Sequence, residues 1–265
     1  MESLAVGEVV IVEARGALRV VTINRPDARN ALTLPVLSGL KTALQSASND
    51  PAVRCVVLRG AGEHFCSGAD LRQNLLDDPD LPQHFARYMH EFHGVVKAIV
   101  RCDRPTVAMM DGAAVGFGAD LAFACDLRVA SDRAYTQEKF VKIGLMPDGG
   151  GTFWLPRLVG TSRAMQMILL GEKVGAAELH RLGVVSSVAS ASDLAGTAMA
   201  LAQKLAMGPP LAFAAIKRAL YASWGSIEDA LCREREEQLK LLASADAIEG
   251  VAAWVQKREP HFEGK

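Results

Sequence analysis

One aspartate of the sequence lies in a turn that has few side chains. Asp148 belongs to the stretch GLMPDGGGT, residues 144–152, where Pro147 precedes it and three consecutive glycines follow it. Aspartate is a favoured helix N-cap and glycines admit close packing, so the stretch taken by itself favours the start of a helix. Three residues without side chains also leave room for another molecule to approach the backbone. Asp148 is therefore also a candidate acid–base group of an active site.

Two further stretches share a layout that could bind a developing negative charge. They are EHFCSGADLR, residues 63–72, and DGAAVGFGADL, residues 111–121. Each follows a predicted strand and leads toward a helix, so each leaves backbone N–H groups without intrahelical partners. Side by side, two such turns could aim two donors at one carbonyl oxygen and form an oxyanion hole. For either turn alone, glycines that merely permit a tight turn are the simpler explanation.

The elements around these stretches predict an α/β core. Residues 8–24 predict a hairpin, because two runs rich in β-branched residues are separated by Arg15 and Gly16. Residues 53–62 predict a strand that is apolar on both faces, as parallel strands are. The segment 104–126 predicts a strand, a glycine-rich turn and a helix that starts near Phe117. Further strands are predicted over 127–131 and 183–190, and helices over 32–48 and 161–174. Such repeated strand–turn–helix units present ligand groups at the turns.

The last quarter of the sequence has a helical composition, beginning at about Ala206. Two prolines begin the segment 209–223, where the first turn of a helix tolerates them. Ser226 and Asp246 are predicted N-caps, and Asp246 has Glu249 three residues further on as a capping box. The predicted division is a core over residues 1–205 and a helical region over residues 206–265.

Composition excludes several classes of protein. Half of the 265 residues are hydrophobic, the net charge is −1, and the basic residues are scattered, so no nucleic-acid partner is expected. The five cysteines are widely spaced without a C-x-x-C motif, which predicts neither disulfides nor a zinc ribbon and favours a reducing cytoplasm. No apolar run reaches the roughly 20 residues that span a bilayer, and acidic residues stand where a signal peptide is basic. We therefore expect a soluble cytoplasmic protein with no membrane partner.

Familiar catalytic and metal-binding motifs are also missing from the sequence. It has no P-loop, no H-E-x-x-H and no G-x-S-x-G. Gly116 and Gly118 lack the third glycine that the dinucleotide fingerprint requires. His90 and His93 stand three residues apart on a predicted helix without an obvious third ligand, so we expect a surface pair and no metal site.

Taken together and in order, stretches along the chain resemble the crotonase (enoyl-CoA hydratase/isomerase) family. Each piece is weak evidence alone, but six in the right order cover nearly the whole chain. The pieces are NRPDARNAL (24–32), GAGEHFCSGADL (60–71), DGAAVGFGADLAFACDLRVAS (111–131), GLMPDGGGTFWLPRLVG (144–160), LLGEKVGAAELHRLGVVSSV (169–188) and EGVAAWVQKREPHF (249–262).

The resemblance implies an α/β fold of the ClpP/crotonase type, a spiral of repeated ββα units. It also implies that the C-terminal helical region forms the contacts of a trimer, which pairs into a hexamer in many members. Family members bind acyl-CoA thioesters, so coenzyme A is expected as part of the substrate and no separate cofactor is expected. The expected assembly is a homotrimer or a homohexamer.

The family's functional positions can be placed on this sequence. The thioester oxygen is held between two backbone N–H groups, which map to Ser67 and Phe117. Each such donor contributes about 2.7–4 kcal/mol to lowering the barrier. Glycine is usual where Phe117 stands, so its ring is expected to narrow or reshape the acyl pocket. The other implied substrate and CoA contacts are Arg29, Ala69, Asp70, Leu71 and Phe140, together with Lys257 and Phe262, which in some members act across subunits.

Departures from the family pattern bear on the reaction. The hydratases use two glutamates, and this chain has Asp120 at the first position and Phe140 at the second. Phenylalanine cannot transfer a proton, which places two-glutamate hydration in doubt. Glu138 is two residues away, and such a shift in an irregular stretch is not expected to preserve the geometry.

Asp148 stands where the hydratases usually have glycine. Members with aspartate there resemble the ring-1,2-epoxyphenylacetyl-CoA isomerases and related enoyl-CoA isomerases, in which it moves a proton between substrate carbons. Burial should raise its pKa from near 4 toward neutrality. The sequence therefore predicts an acyl-CoA isomerase with Asp148 as base and then acid, assisted by Asp120. The alternatives are a 2-enoyl-CoA hydratase that uses Asp120, a dehalogenase with a nucleophilic aspartate, and a non-catalytic acyl-CoA-binding protein.

Overall fold

A computed structural model describes residues 3–6, 9–72, 80–222 and 226–265. Its strands are Ser3–Val6 (β1), Val10–Arg15 (β2), Leu18–Ile23 (β3), Cys55–Gly60 (β4), Thr106–Met110 (β5), Ala113–Val115 (β6), Leu127–Ser131 (β7), Tyr135–Gln137 (β8), Val174–Gly175 (β9) and Ser187–Ala189 (β10). Its α-helices are Leu34–Asn49 (α1), Leu81–Val100 (α2), Phe117–Ala124 (α3), Gly151–Val159 (α4), Thr161–Leu170 (α5), Ala176–Arg181 (α6), Leu194–Ala206 (α7), Pro210–Ala222 (α8), Ile227–Leu242 (α9) and Ala245–Gln256 (α10).

The main sheet has seven strands in the order β1-β2-β3-β4-β5-β7-β10. Strands β1 to β3 pair antiparallel, and β2 and β3 form the predicted hairpin around Arg15 and Gly16. From β3 onward each neighbour is parallel, as the repeated strand–turn–helix pattern predicted. Because the carboxyl ends of parallel strands share one edge of the sheet, the turns that follow β4 and β5 emerge side by side.

Both faces of this sheet are covered. Along β4, Val56 and Leu58 pack into a cluster with residues of α1, α2 and α3. The alternate residues Cys55 and Val57 pack against α7 on the other face. The strand is therefore apolar on both faces because successive side chains point to opposite faces, and both are buried.

A second sheet of three strands, β6, β8 and β9, carries the second glycine-bearing turn. Strand β6 pairs parallel with β8, and α3 begins at Phe117, where the sequence predicted a helix start. Single bridges join Cys66 to Ala114 and Leu32 to Ala69. These bridges fasten the first glycine-bearing turn to the second and to the segment that precedes α1.

The C-terminal segment folds into α8, α9 and α10, as its composition predicted. Ser226 caps α9 in a capping box with Asp229. The predicted cap at Asp246 is wrong, because Ser244 caps α10 and Asp246 lies in its first turn. The Asp246 carboxylate instead accepts hydrogen bonds from the N–H groups of Glu263 and Gly264, so it fixes the chain end against α10. The division at residue 206 stays a prediction.

Among the described residues, no helix alone has both the length and the apolar character needed to cross a membrane. The pair α7 and α8, which meet at an angle of 103°, meets those criteria only when the two are counted together. Four cysteines are buried free thiols and Cys232 is exposed. Buried free cysteines of this kind act as small core residues.

Candidate active site

The two glycine-bearing turns pack directly against each other. The Cys66 N–H donates to the Ala113 carbonyl at 2.9 Å, and the Val115 N–H donates back to the Cys66 carbonyl at 2.9 Å. Gly68 has φ +94, and a Cβ there would lie 2.7 Å from the Val115 carbonyl oxygen and 3.6 Å from the Phe117 nitrogen. A Cβ on Gly118 would lie 2.4 Å from the Cys66 carbonyl oxygen. These glycines are therefore needed for the approach of two backbones as well as for the turns themselves.

The two predicted oxyanion donors differ in their present partners. The Phe117 N–H is the first of α3, and none of the described residues accepts a hydrogen bond from it. The Ser67 N–H donates to the Arg29 carbonyl at 3.0 Å. A thioester oxygen at this place would have Phe117 as an open donor and would share the Ser67 donor with that carbonyl. The oxyanion role of both groups stays a prediction.

A tight turn holds Arg29 against Ser67. Arg29 and Asn30 have φ values of 50 and 59, in the left-handed region that non-glycine residues seldom adopt. The buried Asn30 side chain accepts from the Arg25 N–H and donates to the Ala61 and His64 carbonyls. These bonds offset the cost of the turn, and the Arg29 side chain is left on the wall of the adjoining cavity.

A cavity of about 380 Å³ opens beside the two turns. Most of its wall is apolar and much of it is aromatic. The aromatic residues that line it are Tyr88, Phe92, Phe117, Tyr135 and Phe140. The charged residues that line it are Arg29, Lys139, Lys173 and Asp148. A concave apolar site with a few polar groups is typical of a small-molecule binding site.

Asp148 lies on the wall of this cavity and does not cap a helix. Helix α4 begins at Gly151 with Gly150 as its N-cap residue, and no side chain bonds to its first turn. The Asp148 Oδ1 atom is buried, with no hydrogen-bond partner among the described residues. The helix-cap interpretation of the sequence is therefore wrong, because the three glycines move the helix start beyond reach of this carboxylate.

Burial changes the acidity of Asp148. Burial raises its pKa from 3.8 to about 6, a net value in which a positive charge on nearby His93 offsets part of the effect of burial. The His93 ring Nε2 lies 3.0 Å from the Asp148 carbonyl oxygen, so α2 also holds the backbone of the turn. A carboxyl group that titrates near neutrality can accept and return a proton under physiological conditions.

Replacing His93 by glutamine is expected to move the acidic limb of the pH–rate profile to higher pH. The amide can still donate to the Asp148 carbonyl, but it carries no charge that favours the Asp148 carboxylate. The shift is measured from kcat/KM between pH 4.5 and pH 9. Replacing His90, an exposed residue one turn earlier on α2, by glutamine is the matched control. An acidic limb that moves to lower pH in the His93 variant would contradict this account.

Asp120 is placed behind the wall of the cavity. It is 0% exposed, and its Oδ2 accepts the Gly149 N–H at 2.9 Å. Burial raises its pKa, the Gly149 hydrogen bond lowers it, and the charge of Asp148 raises it. Asp120 is not among the residues that line the cavity. Its bond to Gly149 lets it position the turn that carries Asp148, and it offers no open face to a substrate water.

The other predicted substrate contacts divide into two groups. Arg29, Ala69, Leu71 and Phe140 line the cavity together with the predicted donors Ser67 and Phe117. The remaining three do not line it: Asp70 pairs with Arg25 at 3.0 Å, Lys257 is the exposed C-cap of α10, and Phe262 packs beside Gly250 of α10. Contact of Lys257 or Phe262 with substrate across subunits stays a prediction.

The sequence did not predict the positions of two residues near Asp148. Glu138 is two residues away from the position of the family's second glutamate, yet it is 2% exposed and lies beside Asp120. His90 and His93 are both exposed, as predicted for a surface pair, and His93 also contacts the Asp148 carbonyl oxygen. A charged residue directly after strand β8 was the available signal for Glu138. Nothing in the sequence indicated the contact of His93.

Comparison with known proteins agrees with this arrangement. The family model described as Enoyl-CoA hydratase/isomerase matches residues 13–265. A probable enoyl-CoA hydratase from Rhodobacter capsulatus is 40% identical, covering 96% of this chain and 97% of its own. The 1,2-epoxyphenylacetyl-CoA isomerase of Escherichia coli is 34% identical, covering 97% and 99%. A crystal structure of an enoyl-CoA hydratase from Polaromonas sp. JS666 has a TM-score of 0.91 at 33% identity, covering 96% of this chain and 99% of that one.

Solved structures of similar fold also confirm the predicted fold of the crotonase type, with its mixed sheet and C-terminal helices. The relatives are enzymes, so the interpretation as a non-catalytic binding protein is set aside. The residues that share the cavity with Asp148 belong to the same two turns that carried the resemblance in the sequence. The chain belongs to the enoyl-CoA hydratase/isomerase, or crotonase, family and is an enzyme that acts on acyl-CoA thioesters.

Proposed function

We propose that this enzyme is an acyl-CoA isomerase that shifts a double bond or rearranges the acyl group through an enolate. One observation carries the proposal: among the described residues that line the cavity, Asp148 is the single acid. An isomerase of this kind needs one carboxylate that removes a proton from one carbon and returns it to another. A carboxyl group with a pKa of about 6 suits both steps.

The reaction follows from the arrangement of the cavity. The thioester oxygen accepts hydrogen bonds from the Phe117 and Ser67 N–H groups, and the acyl chain lies among the aromatic residues. The Asp148 carboxylate removes a proton from an acyl carbon, and the electron pair moves onto the thioester oxygen, where the two donors stabilise the enolate. Protonated Asp148 then returns the proton at the other end of the conjugated system. The product therefore contains the same atoms as the substrate, and Asp148 returns to its ionised form at the end of the cycle.

The rim of the cavity supports a CoA thioester as the substrate. Arg29, Lys139 and Lys173 are its basic residues, and Lys173 lies 4.4 Å from the centre of the Tyr135 ring. Coenzyme A is polyanionic, so positive charge on the rim would attract it. The apolar interior would take the acyl group.

Hydration of a 2-enoyl-CoA is the second candidate, favoured by the identity to the probable hydratase of Rhodobacter capsulatus. Two-carboxylate hydration requires both groups to reach the attacking water. Phe140 lines the cavity where the second glutamate of the hydratases is expected, and Asp120 is enclosed behind Gly149. These contacts favour isomerisation over hydration.

The two candidates are separated by offering the enzyme a 3-enoyl-CoA and a 2-enoyl-CoA in parallel. An isomerase converts the first into the conjugated 2-enoyl-CoA, which is followed by its absorbance. In deuterated buffer, any deuterium that exchanges onto Asp148 enters the carbon at the far end of the conjugated system. A hydratase converts the second into a 3-hydroxyacyl-CoA. Rapid hydration without isomerisation would reject the first proposal.

We also propose that the enzyme assembles as a homotrimer or homohexamer through its C-terminal helices, in the cytoplasm. The exposed apolar residues of α9 and α10 support this and are Ile227, Leu231, Leu239, Leu242, Ile248, Val251, Trp254 and Val255. An exposed apolar surface of this extent is typical of an interaction site.

Replacing Trp254 by glutamate is expected to dissociate the assembly. The Trp254 side chain is 85% exposed in the single chain, and a charge buried at a subunit contact without a partner is strongly destabilising. Mass measured by light scattering during size-exclusion chromatography tests this. Gln256→Glu places the same charge at a nearby exposed polar position and serves as the control. An unchanged assembly mass in the Trp254 variant would place the subunit contact elsewhere.

A further inference from the structure

Two buried carboxyl groups lie together behind the cavity wall. Glu138 directly follows β8 and is 2% exposed, and Asp120 lies in α3 and is 0% exposed. The two side chains meet beside Gly151. The point where a Cβ on Gly151 would stand is 2.6 Å from Asp120 Oδ1 and 3.2 Å from Glu138 Oε2. Both oxygens therefore border the same space beside Gly151, which only a glycine leaves open.

Most oxygens of the two groups have no hydrogen-bond donor. Asp120 Oδ1 and both Glu138 oxygens are buried without partners among the described residues. Asp120 Oδ2 alone accepts a bond, from the Gly149 N–H at 2.9 Å. Within the described chain, no lysine or arginine bonds to either group, and no cluster of metal-binding side chains includes them. Two adjacent buried carboxylates without a cation cannot both be ionised.

The surroundings decide which group carries the proton. Burial raises the pKa of Glu138, and the charges of Asp120 and Asp148 raise it further. The pKa of Asp120 is also raised by burial, but the Gly149 N–H stabilises its charged form. His93 lies against the Asp148 backbone from α2, and its positive charge lowers the pKa of Asp148. Glu138 therefore holds its proton more tightly than Asp120 and is the hydrogen-bond donor of the pair.

We propose that Glu138 is a protonated positioning residue, which donates its carboxyl hydrogen to Asp120 Oδ1 and thereby holds the turn that carries Asp148. The inference rests on the proposed role of Asp148 as the acid–base group. The proposed series of contacts leads from Glu138 to Asp120, from Asp120 to the Gly149 N–H, and from Gly149 to the adjacent Asp148. A shared proton gives a partner to one oxygen of each group that otherwise has none.

The two carboxyl groups are also coupled to Asp148. The charge of Asp148 raises the pKa of Asp120 and the pKa of Glu138, so ionisation of Asp148 favours the protonated form of the pair behind it. A second charge on Glu138 would repel Asp120 and loosen its bond to Gly149. Glu138 in its neutral form therefore contributes a hydrogen-bond donor, without touching the substrate.

Infrared spectroscopy of the ligand-free enzyme tests the protonation state directly. At pH 8 the wild type is expected to show the C=O stretching band of a protonated, buried carboxyl group, which shifts in D₂O and is lost in Glu138→Gln. If no such band separates the two proteins, the proposal is overturned. The measurement requires no turnover, so its outcome is independent of whether the enzyme is an isomerase.

Kinetics test the positioning role. Glu138→Gln keeps an N–H donor for Asp120, so its kcat should stay within about threefold of wild type in whichever reaction, isomerisation or hydration, the enzyme performs. Glu138→Leu removes the donor and is expected to lower kcat by about tenfold to 100-fold with little change in KM. Equal losses in both variants, or a full kcat in the leucine variant, would overturn the proposal. Loss of function in Asp148→Asn with wild-type infrared spectra would separate the proposed function from this inference.

Discussion

Replacing Asp148 by asparagine is expected to lower kcat/KM for isomerisation by about 10²–10⁴-fold, the usual contribution of a general acid–base group. The amide fills the same space on the cavity wall but cannot accept a proton from carbon. In the wild type, kcat/KM should fall below pH 6, because the carboxyl group with a pKa of about 6 is then protonated before substrate binds. The residual activity of the variant should lack this acidic limb.

The same substitution is expected to stabilise the fold at alkaline pH. The pKa of Asp148 is raised from 3.8 to about 6, so between these values the folded protein binds a proton that the unfolded chain has lost. The stability of the wild type therefore falls as pH rises from 4 to 6, and above pH 6 the ionised carboxylate remains unfavourable. With about 1.4 kcal/mol for each pKa unit between 3.8 and about 6, Asp148→Asn should gain about 3 kcal/mol at pH 8 and little at pH 4.

Denaturant unfolding at pH 4 and pH 8 checks the stability, and initial rates with a 3-enoyl-CoA check the activity. Asp132→Asn, at an exposed aspartate after β7, removes the same charge away from the cavity. It is expected to leave both quantities close to wild type. Wild-type rates in Asp148→Asn together with lost hydration in Asp120→Asn would show that the enzyme is a hydratase acting through Asp120.

The sequence predicted the fold well because its signals are local and repeated. β-Branched runs, glycine turns and amphipathic helices located the hairpin, β4, the strand–turn–helix segment through α3, and the C-terminal helices. The predicted cap at Asp246 failed because serine at residue 244 competes for the same role. Both residues are good caps, and the local pattern does not show that the chain end returns to occupy the Asp246 carboxylate.

The site was predictable only where the backbone itself makes it. Ser67 and Phe117 line the cavity, and their positions follow from turns that the sequence displays. The contact between the Ser67 N–H and the Arg29 carbonyl joins residues far apart in sequence, so no local pattern reports it. Glu138 was discounted by counting residues, whereas its position depends on how β8 passes behind Asp120 and Gly151. Side-chain neighbours of this kind depend on tertiary packing.

Replacing Gly149 by alanine is expected to lower kcat by about 100-fold and to cost about 1–3 kcal/mol of stability. The new methyl group would stand 2.6 Å from Asp120 Cβ, 2.7 Å from Asp120 Oδ2 and 2.8 Å from Phe117 Cδ2. None of these atoms can move far, because Asp120 and Phe117 lie on the buried helix α3. The turn must therefore shift, and its displacement breaks the Gly149–Asp120 hydrogen bond and carries Asp148 away from the substrate carbon.

Gly196→Ala provides the matched control for this loss. Gly196 lies within α7, and a Cβ there would meet nothing within 4 Å. Alanine is the better helix former, so this variant should gain about 0.5–1 kcal/mol and keep its kcat. Urea unfolding gives the stabilities, and rates measured well below the melting temperature separate a displaced Asp148 from partial unfolding. If Gly149→Ala keeps its kcat, the glycines after Asp148 serve only the fold, and the position of the carboxylate does not depend on the contact between its turn and α3.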